Sequence, residues 1–330
     1  MYQAFYGLSE YPFELTANPK YLFFSAQHRE ALSNLEYGLS SAKPITLLIG
    51  EAGTGKSTLL RAALESDRCR HVSCVYLDNP TLTRDEFIET LAARFDLGAS
   101  AERSKATLLG GLQSVVSERQ ARGEITALVV DEAQALPDAL LEEIRLLANM
   151  ESRSAKLLPV VLAGQPEFAA RLNEPGLRQL KQRVALRCEL KPLNLPDTAS
   201  YIASRIRTAG GDPGKIFTRE AVTLIHEYSN GVPRTISVMC DNAMMSAFAI
   251  DEPRIDGRIV REVCRDFDLR PAAAGKQRAP AAAPAPLTLV EPVPAAPEGP
   301  PKTTAVAETA KGEQKQAAAP ARRFSLLGLR

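Results

Sequence analysis

The chain's most chemically specific run is Gly50-Glu51-Ala52-Gly53-Thr54-Gly55-Lys56-Ser57, followed by Thr58. Gly50, Gly53 and Gly55 tolerate the positive φ that a loop needs when it curls its amides around an anion, and a helix N-terminus adds to the same field. Lys56 supplies a point charge for the β and γ phosphates of a nucleotide, and Ser57 is placed to put its hydroxyl on Mg²⁺. About 75 residues further on, Leu128-Val129-Val130-Asp131-Glu132 has the form of a buried strand ending in two carboxylates. Asp131 is expected to hold the magnesium through water, and Glu132 to polarise the attacking water as general base. An adjacent pair of this kind favours a hydrolase over a kinase, whose acceptor is a hydroxyl of its own substrate. These residues together point to ATP and Mg²⁺ as ligands.

Such residues work only if the right elements hold them. Short β-type runs at 45–49, 73–77, 125–130, 157–163 and 185–190 alternate with helical patterns, which predicts a parallel sheet covered by helices on both faces. The phosphate loop then lies between the first strand and a helix over 56–64. Thr83 and Glu86 form a capping box for a helix carrying Phe87, Ile88 and Leu91, and Pro137-Asp138 opens another with Leu140, Leu141, Ile144 and Leu147. One amphipathic helix is expected over 102–120, with Leu108, Leu109, Leu112, Val115 and Val116 turned to the core. After residue 190 the strand signal stops, and helices over 197–209, 218–228, 233–248 and 256–267 predict a second, helical domain.

The chain has 330 residues with 40 basic and 39 acidic side chains, so no global field draws it to nucleic acid or an anionic membrane. Five cysteines without a CxxC pair suit neither a disulfide framework nor a zinc site, and a reducing cytoplasm fits them best. His28, His71 and His226 lack ligand spacing, and no metal-binding or catalytic role is expected of them. No signal-peptide pattern opens the sequence and no apolar run is long enough to span a bilayer. Residues 271–330 are rich in Ala and Pro and carry 8 Lys and Arg against 4 Glu, which predicts a disordered, basic tail. It closes on Arg322-Arg323-Phe324-Ser325-Leu326-Leu327, a patch suited to peripheral contact with a membrane or partner if it is more than a frayed end.

Several further segments carry a resemblance. Phe5-Tyr6-Gly7-Leu8, Pro12-Phe13, Tyr21-Leu22-Phe23 and His28-Arg29-Glu30-Ala31-Leu32 precede the phosphate loop. Asp131-Glu132-Ala133-Gln134, Gly164-Gln165-Pro166-Glu167, Leu177 to Arg183 and Gly231-Val232-Pro233-Arg234 follow it. In order and spacing these resemble the AAA+ ATPases of the general secretion pathway protein A group, over nearly all of residues 1–270. The resemblance implies an ORC-like module: a five-stranded αβα P-loop sandwich, a helical lid, and a homo-oligomeric ring or open assembly. It assigns Gln165 as the sensor-1 residue, Arg183 as an arginine finger reaching a neighbour's ATP with Arg178 as second choice, and Arg234 as the sensor-2 arginine. It also implies that residues 6–13 line the adenine pocket, although packing as plain core accounts for them nearly as well.

The layout expected is therefore an N-terminal linker and first helix (1–44), an ATPase core (45–192), a helical lid (193–270) and the tail (271–330). The group's full-length members are expected to continue into a membrane span and a peptidoglycan-binding region, and here only the tail follows the lid. The leading functional reading is an ATPase that assembles or remodels a bacterial envelope secretion, pilus or polysaccharide export system. The alternative is an ATP-dependent DNA-binding regulator of the transposon-targeting type, with Arg145, Arg153, Lys156, Lys181 and Arg187 as candidate phosphate contacts. A nucleotide switch that barely turns over is a third reading, opposed by Glu132.

Overall fold

The computed structural model describes residues 1–15, 19–78, 81–102, 104–151 and 156–270. Two units partition the chain, 1–276 and 277–330, and every element below belongs to the first. The tail, its closing basic and apolar patch, and Arg153 lie outside the described residues.

Five parallel strands form one sheet in the order β2-β3-β4-β1-β5: β1 Ile45–Gly50, β2 Val72–Leu77, β3 Ile125–Val130, β4 Val160–Gly164 and β5 Val184–Leu190. Every residue of β1 is buried, as expected of a strand covered on both faces. Alternation divides its side chains: Ile45, Leu47 and Ile49 join one core, while Leu48 joins the other. The helices of the αβα layers are α2 Ala26–Ser40, α3 Lys56–Glu65, α4 Arg84–Arg94, the short α5 Ala99–Glu102, α6 Lys105–Ala121, α7 Asp138–Leu147, α8 Pro166–Arg171 and α9 Arg178–Gln182, after an N-terminal turn α1 Gln3–Tyr6. Leu35 and Leu39 of α2 and Leu59, Leu60 and Ala63 of α3 cover one face; Phe87 and Leu91 of α4, Leu112 of α6 and Leu141 of α7 cover the other.

A third core is mainly helical, built from α10 Leu195–Thr208, α11 Pro213–Ile216, α12 Arg219–Ser229, α13 Pro233–Ala249 and α14 Gly257–Asp266. Tyr2, Leu8 and Phe13 are buried in that same core, so the first stretch of the chain packs with the helical lid.

Two boundaries differ most from the sequence expectation. β4 starts at Val160, because Pro159 has no N–H for the ladder and Leu157 and Leu158 are buried ahead of it. The helix expected over 102–120 is two: α5 ends at Glu102 and α6 starts afresh, with the Ser104 hydroxyl accepting from Thr107 N as its N-cap. Leu109 and Val115 are half-buried, against full burial of Leu108, Leu112 and Val116. The Thr83–Glu86 capping box is present in both directions.

Candidate active site

Parallel strands bring all their C-terminal ends to one edge, and this strand order sets the ends of β3, β4 and β1 side by side. Three consecutive turns leave that edge: Gly50 to Lys56 after β1, Asp131 and Glu132 after β3, and Gln165 after β4. Gly53 and Gly55 have φ of 80° and 98°, so the loop takes a path that side chains with a Cβ resist. Lys56 is 4 % exposed, and its ammonium donates to Gly50 O at 2.8 Å and Glu51 O at 3.2 Å. No carboxylate pairs with it among the described residues. Burial pushes its pKa below the ordinary lysine value, while the charges of Glu132 and Asp131 oppose the change. A desolvated ammonium on main-chain carbonyls, carried by the first residue of α3, fits the phosphate chain of a nucleotide.

Across the site, the Ser57 hydroxyl donates to Asp131 Oδ2 at 2.6 Å, and the phenol of Tyr76, from β2, donates to the same oxygen at 2.8 Å. Burial, and then Asp131 itself, hold the Tyr76 phenol well above its usual pKa, which keeps it a donor. The other carboxylate oxygen, Oδ1, accepts from Glu132 N at 2.9 Å. A hydroxyl and a carboxylate already in contact are a hard, oxygen-only pair of the kind that suits Mg²⁺.

Glu132 sits in the left-handed region at φ 51°, which turns its side chain away from the line of the strand. Its Oε2 accepts from two amides, Gln134 Nε2 at 2.5 Å and Gln165 Nε2 at 3.3 Å. The Gln134 side-chain carbonyl accepts in turn from Gln165 N at 3.1 Å, and the Gln134 backbone carbonyl from Arg171 at 3.0 Å. Gln165 therefore does more than begin α8; it reaches across to the candidate base.

A cleft of about 310 Å³ opens from this edge towards the lid, lined on one side by Ala52 to Thr58 and Glu132 and on the other by Pro233, Arg234 and Ser237 of α13. Arg234 N donates to Gly53 O at 3.1 Å, and a Cβ at Gly53 would lie 2.6 Å from that of Arg234. The phosphate loop and the lid are thus in direct contact. The Arg234 guanidinium has no ion-pair partner among the described residues.

One sequence expectation changes. The cleft is lined by Glu14, Leu15 and Tyr21 to Phe23 rather than by 6–13, because Leu8 and Phe13 are consumed by the lid core. Arg183 and Arg178, expected to reach a neighbour's nucleotide and not the chain's own, are exposed and precede β5, at the opposite edge of the sheet from the phosphate loop. The candidate phosphate contacts are spread out, with Arg145 paired to Glu142, Lys156 to Glu151, Lys181 hydrogen-bonded to Asn173, and Arg187 exposed on β5. Site residues that the sequence reading missed are Tyr76, Gln134 and His28, each of which has a partner from a distant segment. For Gln134 alone a local signal existed, two positions after Glu132.

An AAA-domain family model matches residues 39–172. General secretion pathway protein A of Aeromonas hydrophila is 40 % identical over 249 residues, which are 76 % of this chain and 45 % of that protein, so the chain spans under half of its relative's length. Among solved structures, the Aeropyrum pernix ORC2 protein in ADPNP-ADP complexes matches 78 % of this chain and 72 % of its own, with a TM-score of 0.58 at 16 % identity. The Pyrobaculum aerophilum Cdc6p structure matches 72 % of this chain and 66 % of its own, with a TM-score of 0.54 at 17 % identity. At those identities the likeness is one of fold: a P-loop αβα sandwich followed by a helical lid.

Proposed function

This chain is an AAA-domain protein homologous to general secretion pathway protein A, and from that premise we propose that it binds ATP with Mg²⁺ in the cleft and hydrolyses it. The observation that carries the reading is the 2.6 Å contact of Ser57 with Asp131, which unites the phosphate loop with the strand end bearing Glu132. The amides of residues 53–58 and the Lys56 ammonium receive the β and γ phosphates. Ser57 and Asp131 are the residues to hold the magnesium ion, which when bound supplies charge neutralisation on the phosphate oxygens. Glu132 takes a proton from water; the water oxygen bonds to the γ phosphorus, and the bond to the β–γ bridging oxygen breaks with its electron pair leaving on ADP. Gln165 and Gln134 hold the Glu132 carboxylate for that transfer. Arg234 adds its charge from the lid, so that nucleotide occupancy and lid position are one equilibrium.

Homology to a secretion-pathway protein supports the finer reading: a motor or assembly factor, homo-oligomeric in a ring or open form, acting on a protein partner in an envelope secretion, pilus or polysaccharide export system. No helix among the described residues is long and apolar enough to cross a membrane. A cytoplasmic position, with peripheral membrane contact through the tail, accords with this.

Turnover by the purified chain and by Glu132→Gln tests the chemistry. We expect the variant to bind ATP normally and to lose about a hundredfold or more in kcat, the scale of general-base catalysis. Unchanged turnover in Glu132→Gln removes that residue from the mechanism. Duplex DNA binding titrated against salt, with and without ATP, tests the regulator alternative. We expect no saturable binding even at low salt, because the basic side chains named above are paired or dispersed; tight ATP-dependent binding would reverse the preference.

A further inference from the structure

His28 had no expected role, yet it stands in the wall of the nucleotide cleft, 4 % exposed, near the start of α2. Its Nε2 lies 3.3 Å from Thr54 O and its Nδ1 lies 2.7 Å from Ser25 Oγ. A carbonyl oxygen only accepts, so Nε2 carries the proton. In the neutral ring Nδ1 is then an acceptor, and the Ser25 hydroxyl donates to it. Ser25 Oγ also accepts from His28 N at 3.3 Å as the N-cap of α2, which fixes the hydroxyl and through it the ring. Burial holds the imidazole below its ordinary pKa against the Thr54 carbonyl and Asp197, consistent with a neutral ring near pH 7.

The peptide plane gives this contact its consequence. In a trans peptide the C=O of one residue and the N–H of the next point in opposite directions. A Thr54 carbonyl drawn outward to His28 turns the Gly55 amide inward, towards the space where the loop receives phosphate. Gly55, at φ 98°, has no Cβ to favour one orientation of this peptide over the other. The neighbouring Gly53 carbonyl is held from the lid by Arg234 N at 3.1 Å. Two consecutive outward carbonyls are thus pinned by elements outside the loop.

We propose that His28 is a positioning residue of the phosphate loop, whose Nε2–H fixes the Thr54–Gly55 peptide with its amide facing the nucleotide. The proposal rests on the ATP-binding reading above and touches no reacting atom.

Substitutions separate the bond from the bulk. In His28→Gln the side-chain amide can replace Nε2–H, whereas His28→Asn places its amide near Nδ1, and His28→Leu keeps volume without a donor. With a fluorescent ATP analogue and the full chain, we expect Kd to rise on the order of tenfold in His28→Leu and His28→Asn. His28→Gln should stay within about threefold of wild type. Nitrogen-15 NMR of the wild-type ring should report the Nε2–H tautomer, a measurement independent of whether any variant folds. Equal affinity in wild type and His28→Leu overturns the proposal, as does equal loss in all three variants or an Nδ1–H tautomer. A wild-type chain that binds no nucleotide overturns the ATP reading as well, so the two failures are distinguishable.

Discussion

Glu132, the proposed base, shows how much of a carboxylate's setting is decided by its neighbours. A carboxylate acts as general base only if a free oxygen faces water. Here Oε2 is occupied by Gln134 and Gln165, which leaves Oε1 to take the proton. Gln134→Leu removes one of the two donors that hold the carboxylate, so kcat should fall several-fold while the Kd for ATP stays within about twofold of wild type. An unchanged kcat in Gln134→Leu would mean that Gln134 does not hold the base. At this scale the sequence pointed to the residues whose proposed roles follow from their own type and spacing, Lys56, Ser57, Asp131 and Glu132, and the fold brings Ser57 against Asp131. Tyr76, placed on β2 beside β3, could not be read in the same way, because its role exists only through strand order.

The elements were legible where a local rule determined them: the buried run of β1, the capping box of α4, and the Pro-opened start of α7. They were less so where tertiary context intervened, as at Pro159 before β4 or at the break between α5 and α6. The packing of Tyr2, Leu8 and Phe13 into the lid had no sequence signal, since apolar spacing gives burial without naming the partner. One ion cluster ties these elements together. Glu143 on α7 is 13 % exposed and pairs with Arg84 at the start of α4 and Lys105 at the start of α6, both at 2.7 Å. Burial of the Glu143 carboxyl is outweighed by those two cations, which leave its pKa below normal. Glu143→Gln keeps the shape and removes the charge, at a cost of about 1 kcal/mol in view of the half-exposed cations. A fall in Tm of roughly 2–4 °C is expected at neutral pH in low salt. Because a lowered carboxylate pKa stabilises above its unfolded value and fades as pH falls through the folded one, the difference between variant and wild type should begin to shrink near pH 4 and go on shrinking in stronger acid. A gap that stays constant through that range would assign the loss to packing instead.

For the whole molecule, the direction of the sheet limits what one chain can do alone. All five strands run parallel, so the phosphate loop, Glu132 and Gln165 share the C-terminal edge, while Arg183 lies before β5 at the other. A seven-residue strand is about 20 Å long at 3.3 Å per residue, which puts Arg183 far outside reach of the chain's own nucleotide. If it is an arginine finger, it acts on the ATP of a neighbouring copy. That arrangement makes a prediction that no single variant can imitate. Arg183→Ala keeps its own base but deprives a neighbour of the finger; Glu132→Gln keeps the finger and binds ATP but cannot hydrolyse it. Each alone should be nearly inactive, given that fingers contribute on the order of a thousandfold or more to turnover. Mixed, they form junctions in which the intact finger of Glu132→Gln faces the intact base of Arg183→Ala, and ATPase activity should return at those junctions. Co-purification through different tags establishes that the two variants share an assembly. Mixed assemblies that remain inactive would exclude Arg183 as a finger in trans, and Arg178, exposed at the start of α9, would be the next side chain to test in the same way.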